Sequence, residues 1–293
     1  MLIAIGLVIQ IVTVIAIVFA VRGPKKETLV ATTASAVGST ITPDQRAVLH
    51  QRLHYERRAK LVGALVGFML PGFVKAFVEL PTAVNPFSMG FAGLLIGAIA
   101  GATRDSAPRG SRRSAHLRER RIDHYAPAQA LLWTRGLAAL TVAVAALTAP
   151  LGNLIGACVH PDMARSAGGP ALAAAFALIA TALVEIGIRL IIGRGQAAEP
   201  EGLMEIDDML RARAVTAATA AGLAAVILSL TFAASATVAS GPVCASGEWT
   251  RILLIDTVIA ATGFVTAIGV WISFTWRRLP RPAGATTGRD VPR

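Results

Sequence analysis

Long apolar runs alternate with polar segments along the whole chain. A helix rises about 1.5 Å per residue, so about 20 apolar residues cross the ~30 Å hydrocarbon core of a bilayer. The pattern therefore predicts one all-α domain, 1–276, a transmembrane helix bundle of about seven spans, with a basic disordered tail at 277–293. The predicted spans are 1–21, 61–80, 87–103, 129–150, 171–193, 214–239 and 251–276.

The first apolar run has a second interpretation, a cleaved signal peptide. No basic residue precedes the run, whereas Arg22, Lys25 and Lys26 follow it. A signal peptide has the reverse order, with positive charges before an apolar region of about 7–15 residues. The sequence therefore favours a retained first span with its N-terminus outside.

The polar segment 23–60, between the first two predicted spans, contains a helix start signal. Thr42 is suited to the N-cap and Pro43 to the first helical position. His50 and His54 follow one turn apart, a spacing that can bind a metal ion, but no Cys or carboxylate motif completes a site. We interpret both histidines as solvated side chains beside the membrane and predict no metal site.

Glycines recur every four residues in two neighbouring spans. The second predicted span carries Gly63 and Gly67, and the third carries Gly93, Gly97 and Gly101. Small residues at this spacing let helix backbones approach closely. We predict that these helix-packing glycines join the two spans within one chain; the alternative is a homodimer face.

Basic residues divide the connecting segments into two classes. Of the 28 Lys and Arg residues, 23 fall in 22–60, 104–128, 193–213 and 277–293, and two fall in the other connections. The positive-inside rule places the first class in the cytoplasm and predicts an N-out, C-in topology. The strongest of these signals is the basic inner loop, whose arginines are Arg104, Arg109, Arg112, Arg113, Arg118, Arg120 and Arg121.

Composition agrees with a membrane protein. The chain is 54% hydrophobic and 15% charged, with a mean hydropathy of +0.62, whereas soluble domains are about 25% charged. The net charge is +11, the charged residues lie between the apolar runs, and aromatic residues make up only 5% of the chain. We therefore predict that anionic lipid headgroups bind the cytoplasmic face and that nucleic acid is not a partner. Arginine outnumbers lysine 24 to 4 and alanine is abundant, which is typical of GC-rich coding and predicts a bacterial plasma membrane.

The two cysteines, Cys158 and Cys244, both fall in predicted external loops. Disulfides persist on the oxidising side of a membrane, so we predict a bridge between these loops. Two unpaired thiols are the alternative.

Ionisable residues within predicted spans fall at matching depths. Arg135 and Glu185 lie roughly 10–12 Å from the inner ends of their spans, and Lys75 and Asp256 each lie about 5 residues from an outer end. We predict two candidate intramembrane ion pairs, with Glu79 as the local alternative partner of Lys75. Such charges can line a path for an ion or solute, or they can form structural ion pairs near the membrane–water interface. None of these residues lies at the midplane of the membrane, which favours structural pairs.

No catalytic motif is found. The chain has no Walker A loop, HExxH, GxSxG or Cys/His metal spacing, and its histidines all fall in predicted polar segments. An acidic cluster at 199–208 precedes Arg211 and Arg213, and helix-dipole and i,i+4 pairing account for it without a site. We therefore predict a non-enzymatic protein with no catalytic residue, cofactor or metal.

Two segments of the chain resemble a known group of proteins. Residues 97–127 combine a glycine-rich span, an arginine-rich loop and the exit Arg-Ile-Asp-His-Tyr-Ala-Pro, and residues 206–213 read Ile-Asp-Asp-Met-Leu-Arg-Ala-Arg. Both are similar to uncharacterised polytopic membrane proteins of actinobacteria, in which Asp-Tyr is expected where this chain has Asp-His-Tyr. Such proteins are often encoded near transporter components, which implies an accessory or permease-like role.

We therefore expect an integral plasma-membrane protein that is transporter- or permease-like, or an accessory subunit of a membrane transport system, with a transporter subunit or a second copy as protein partner. The alternative is a structural or signalling membrane protein whose basic cytoplasmic face binds anionic lipid or a partner protein.

Overall fold

The regular secondary structure in the described part of the chain is entirely helical. A computed structural model describes residues 43–77, 86–103, 125, 128–154, 169–194, 201–239 and 249–276. The all-α prediction is confirmed for these residues. The helices are α1 (Pro43–Phe77), α2 (Pro86–Thr103), α3 (Ala128–Leu154), α4 (Gly169–Gly193), α5 (Glu201–Ala239) and α6 (Trp249–Trp276).

Several sequence predictions fall outside the described residues. The first predicted span, the basic inner loop and the C-terminal tail lie there, as do Glu79, Cys158 and Cys244. Lys75 and Asp256 belong to α1 and α6, but their side chains are outside the described part as well.

Five of the described helices, α2 to α6, are long and apolar enough to cross a membrane. The chain thus has the character of a membrane-embedded, multi-pass protein. These helices begin and end within a few residues of the predicted spans, except that α5 also contains the polar turns before 214. Helix α1 begins at Pro43, as the start signal predicts, and continues without a break through the polar juxtamembrane segment to Phe77.

Helix α5 occupies the centre of the bundle. It packs against α2, α3, α4 and α6, and most of its length between Asp207 and Ser235 is buried. Its surface is built largely from alanine, because small side chains let four neighbouring helices approach one axis. The fully buried alanines of α5 include Ala218, Ala220, Ala221, Ala224, Ala225 and Ala233.

Helices α1 and α2 pack with their backbones almost in contact. A Cβ atom on Gly63 would collide with the Gly93 carbonyl oxygen, and a Cβ on Gly93 would collide with that of Gly63. Farther along, a Cβ on Gly97 would collide with the carbonyl oxygen of Ala59, and Gly67 lies against Gly93. The two glycine ridges therefore face each other within one chain.

Four hydroxyl groups in the core are satisfied within their own helices. Thr134, Thr141, Thr219 and Ser229 are buried, and each donates a hydrogen bond of 2.7–2.8 Å to the backbone carbonyl four residues earlier. This pairing removes the cost of placing a hydroxyl in an apolar interior. These side chains thus add no unsatisfied polar surface to the core.

Candidate functional site: a charged cluster at one end of the bundle

Charged residues of α1 and α5 meet at the ends of α2 and α4. A Cβ on Gly101, near the end of α2, would come within 3.0 Å of the Glu56 Cα on α1. Arg194, just after α4, donates from Nη1 to the Ala102 carbonyl at 2.6 Å. We refer to the charged residues gathered here as the helix-end cluster: Arg52, Glu56, Arg57, Lys60, Arg194, Asp207, Asp208, Arg211 and Arg213.

Asp207 is the most connected carboxylate of the helix-end cluster. Arg211, one turn later on α5, donates to Asp207 Oδ2 from Nε at 2.9 Å and from Nη2 at 2.7 Å. Arg52 of α1 donates from Nη1 to Asp207 Oδ1 at 2.8 Å. Asp207 and Arg211 are only 6% and 3% exposed. Charge-assisted hydrogen bonds of this kind are among the stronger side-chain interactions. The Arg211 bonds lie within α5, and the bond from Arg52 joins α1 to α5.

Arg211 also satisfies carbonyl groups at the end of α4. Its Nη1 donates to the Ile192 carbonyl at 3.2 Å and to the Arg194 carbonyl at 2.8 Å. The last carbonyls of a helix have no partner within that helix, and a positive charge there also complements the helix dipole. Asp207 therefore orients a guanidinium that caps a neighbouring helix.

Glu56 and Lys60 form a second buried pair, one turn apart on α1, in which Lys60 Nζ donates to Glu56 Oε1. Burial alone would raise the pKa of the Glu56 carboxyl, but Lys60, Arg213 and Arg57 together hold that pKa below its ordinary value. Burial lowers the pKa of the Lys60 ammonium, and Arg213 and Arg57 also lower it, although the paired Glu56 carboxylate opposes this shift. One carboxylate thus lies among three cations.

Tyr125 connects the helix-end cluster to the segment before α3. Its hydroxyl Oη donates to Asp208 Oδ1 at 3.2 Å. Tyr125 and Asp208 belong to the two segments that carry the sequence resemblance, so the structure brings one residue of each segment into contact. The acidic residues near the start of α5 therefore make tertiary contacts in addition to the local pairing that sequence reasoning assigned to them.

The cluster carries six cations and three carboxylates. Such a surplus of positive charge, arranged at the ends of apolar helices, is suited to holding helices together and to attracting anions. Within the described ranges, His, Cys, Asp and Glu form no group of three that could hold a metal ion. His54 is exposed and lies 6.3 Å from the ring of Tyr55, and His50 is half-buried.

The structure also brings Arg135 and Glu185 together. Arg135 Nε of α3 donates to Glu185 Oε1 of α4 at 2.8 Å. Their side chains are 60% and 34% exposed, so the pair lies on the outside of the bundle. Leu132 and Ile186, which neighbour the pair on the two helices, are also exposed. We call this surface the α3–α4 face.

Sequence reasoning singled out Arg135 and Glu185 but assigned no site to the helix-end cluster. The missed residues include Arg52, Glu56, Lys60, Asp207 and Arg211. A signal was present, because oppositely charged residues four apart occur on both α1 and α5 directly before an apolar stretch. That spacing alone does not reveal that the two helices face each other.

Comparison of the chain with protein-family models, curated proteins and solved structures finds no significant match.

Proposed function

We propose that the chain is a non-enzymatic accessory or permease-like subunit of a membrane transport system, bound to a membrane protein partner through the α3–α4 face. The proposal includes seven spans with an N-out, C-in topology in a bacterial plasma membrane. The proteins that the chain resembles are expected to be encoded next to transporter components, which agrees with this role.

The position of Arg135 and Glu185 carries the proposal. At about 1.5 Å per residue, Arg135 lies roughly 10 Å from the start of α3 and Glu185 roughly 12 Å from the end of α4. With the ends of these helices at the membrane surface, as proposed, both residues would lie within the hydrocarbon layer. An unpaired charge at the centre of a transmembrane helix costs about 2.5–3.5 kcal/mol on insertion scales, and charged residues within spans usually face protein or water. Here the pair faces outward, so polar groups of a partner helix would offset that cost.

The bundle interior argues against a stand-alone transporter. Buried hydroxyls of α3 and α5 bond to their own helices, and alanine fills the space around α5. Glu185, a candidate for an ion path, lies on the outside instead. The sequence also has no internal repeat of the kind that builds many secondary transporters. These observations favour a role in assembly with another membrane protein.

Co-purification tests the proposal. The full-length protein is tagged, extracted in a mild detergent and isolated, and bound chains are identified by mass spectrometry. We expect a transport component with its own membrane spans to accompany the wild-type protein, and to be lost in Glu185→Gln and Arg135→Gln. Arg58→Gln is the matched control, since Arg58 is an exposed arginine on α1, outside the α3–α4 face, and it should retain the partner.

A charge exchange sharpens the test. Arg135→Glu alone should abolish partner binding, and adding Glu185→Arg should restore part of it, because the pair is reformed with its direction reversed. Isolation of the wild-type protein alone and monodisperse, or capture of a partner that all the variants retain equally, would contradict the proposed interface.

The surplus charge of the helix-end cluster favours a second candidate function. In this alternative the protein is a structural or signalling membrane protein whose basic cytoplasmic face binds anionic lipid or a cytoplasmic partner. Reporter fusions after residues 103 and 193 test this alternative: both should be cytoplasmic, and an external reporter at either position would exclude binding of inner-leaflet lipid at this end of the bundle.

A further inference from the structure

The α3–α4 face carries more positive than negative charge. Arg135 Nε donates to Glu185 Oε1 at 2.8 Å, and Arg189 follows Glu185 by four residues on α4. Residues four apart on a helix lie on the same side of it, with Cβ atoms about 5–6 Å apart. Helices α3 and α4 contain no other Lys, Arg, Asp or Glu. Two arginines and one carboxylate thus leave this face with an excess of one positive charge.

Both arginines have N–H donors that the described part of the chain does not use. Arg135 is bonded to Glu185 through Nε, and its Nη1 and Nη2 form no hydrogen bond with a described residue. Arg189 is exposed, and within the same ranges it forms neither a hydrogen bond nor an ion pair. The two guanidinium groups therefore present unused donors at the surface of the bundle.

These donors lie at two depths. Arg189 is four residues before the end of α4 at Gly193, about 6 Å along the helix axis, and the Arg135–Glu185 pair lies about one turn deeper. A lipid phosphate at the level of the helix ends is close to Arg189 but farther from Arg135. A side chain on a neighbouring helix, in contrast, can lie at the level between the two arginines.

Small side chains beside the pair leave room for such a helix. Ala139 on α3 and Ala182 on α4 are both exposed, and each lies about one turn from the Arg135–Glu185 pair, on the side away from Arg189. Small residues let helix backbones approach closely in a membrane. A helix that packs against these two alanines and continues along α3 and α4 would pass the guanidinium groups of Arg135 and Arg189.

We propose that the partner bound by the α3–α4 face presents a transmembrane helix with one Asp or Glu side chain, whose carboxylate lies at the level between Arg135 and Arg189. This partner chemistry rests on the proposed function, because it specifies what binds at that face. The carboxylate would accept charge-assisted hydrogen bonds from Arg189 and from the unused Nη groups of Arg135. It would also balance the excess positive charge, which is costly within a membrane.

The test uses the full-length protein in phosphatidylcholine vesicles at neutral pH, with a synthetic transmembrane helix of Leu and Ala as the probe. The probe carries one Glu about 8 Å from one end of its apolar stretch, the level between the two arginines. Two matched probes carry Gln or Leu at the same position. Energy transfer between labelled protein and labelled probe measures binding. We expect the Glu probe to bind about tenfold or more tightly than either matched probe.

Substitutions of Arg189 connect this preference to the site. Arg189→Gln should reduce the preference for the Glu probe about tenfold, whereas Arg189→Lys, which keeps the charge, should retain most of it. Arg189→Glu should reverse the preference, so that a probe with Lys at the same position binds better than the Glu probe. The control is Arg58→Gln, which removes an exposed arginine from α1 and should behave like the wild type.

A preference for the Glu probe that is lost in Arg189→Gln and kept in Arg58→Gln supports the proposal. Equal binding of the three probes, or an equal loss in Arg58→Gln, would overturn it. Loss of the preference when phosphatidylglycerol is added to the vesicles would assign the arginines to lipid headgroups instead. Self-association without any probe that Arg189→Gln abolishes would make a second copy the source of the carboxylate. Either of these last two results would also overturn the proposal.

Co-purification separates failure of this partner chemistry from failure of the proposed interface. A transport component that Arg189→Gln retains, but that Glu185→Gln and Arg135→Gln lose, would leave the interface in place and exclude the carboxylate. A partner that all three variants lose but whose membrane spans contain no Asp or Glu would exclude it as well. A partner that all three variants retain would instead exclude the interface itself.

Discussion

Gly63 and Gly93 lie so close across the α1–α2 contact that neither position has room for a methyl group. A Cβ built on either residue comes well within 3.0 Å of the other's carbonyl oxygen. The obstructing atoms are backbone, which cannot rotate away as a flexible side chain can. The approach of these helices therefore depends on both glycines at once.

Gly93→Ala should destabilise the protein by about 1–3 kcal/mol, because the added methyl group forces the two backbones apart. The measurement is thermal unfolding of the detergent-purified protein, monitored as the loss of its monodisperse peak in size-exclusion chromatography. Gly136→Ala is the control, since a Cβ there meets nothing within 4 Å, and it should not lower stability. Equal behaviour of the two variants would contradict the close contact.

Asp207→Ala should cost about 3–5 kcal/mol, because it leaves the buried guanidinium of Arg211 without its carboxylate. Thermal or chemical unfolding measures this loss. Asp208→Ala, which removes only the bond from Tyr125, should cost about 1 kcal/mol. Combining Asp207→Ala with Arg211→Met should recover part of the lost stability, since the more buried of the two guanidinium groups that pair with Asp207 is then removed together with the carboxylate. A double variant as unstable as the sum of its single changes would refute this explanation.

Part of the architecture could be predicted from the sequence because it depends on local composition. Five apolar stretches correspond to α2 to α6 within a few residues, apart from the polar first turns of α5, and the Thr42-Pro43 signal correctly places the start of α1. The glycine spacing predicts a close helix contact, and the structure supplies its register, with Gly63 facing Gly93. The sequence also predicts the pair Arg135–Glu185. The two residues lie at similar distances from the inner ends of spans that run in opposite directions, so they are at a similar level in the bundle.

The remaining contacts could not be predicted because they join distant parts of the chain. Arg52 and Asp207 are 155 residues apart, and no periodicity indicates that they meet. The Asp207–Arg211 pair is a sufficient local explanation for the charges near the start of α5, so the sequence gives no reason to expect their contacts with other helices. Likewise, the sequence alone does not indicate that the charge of Arg213 on α5 lowers the pKa of Glu56 on α1, because that effect depends on how the two helices are oriented.

Glu56 should make stability depend on acid. Its pKa in the folded protein is below the ordinary value of 4.5, because the surrounding cations outweigh the effect of burial. The unfolded chain therefore binds the proton more readily, and the stabilisation by Glu56 is complete above about pH 4.5 and is lost as the pH falls through the folded pKa. At neutral pH, Glu56→Gln should be less stable than the wild type.

The difference between the wild type and Glu56→Gln should shrink steadily below pH 4.5. Unfolding temperatures measured from pH 7 downward test this expectation. The profile of Gly136→Ala should run parallel to that of the wild type, because this change affects no titrating group. A constant difference between Glu56→Gln and the wild type at every pH would contradict the assigned role of the carboxylate.

The bridge between Cys158 and Cys244 stays a prediction from topology. A membrane-impermeant maleimide added to intact cells should label neither cysteine before reduction and both after it. Labelling without prior reduction would exclude the disulfide. Absence of labelling even after reduction would contradict the external placement of the loops. A Cys158→Ser variant, which should expose Cys244 as a reactive thiol, provides the positive control.

The central position of α5 has a consequence for how the protein is made. Helices α1 and α2 are neighbours in the chain and can pair soon after both have left the ribosome, but α2, α3 and α4 all complete their packing on α5. At about 5–20 residues per second, the end of α5 follows that of α2 by roughly ten seconds. During that interval the earlier helices must be sheltered by lipid or by the insertion machinery. Ribosome stalling before residue 201 should therefore yield protease-sensitive chains, and stalling after residue 239 should yield the first resistant ones.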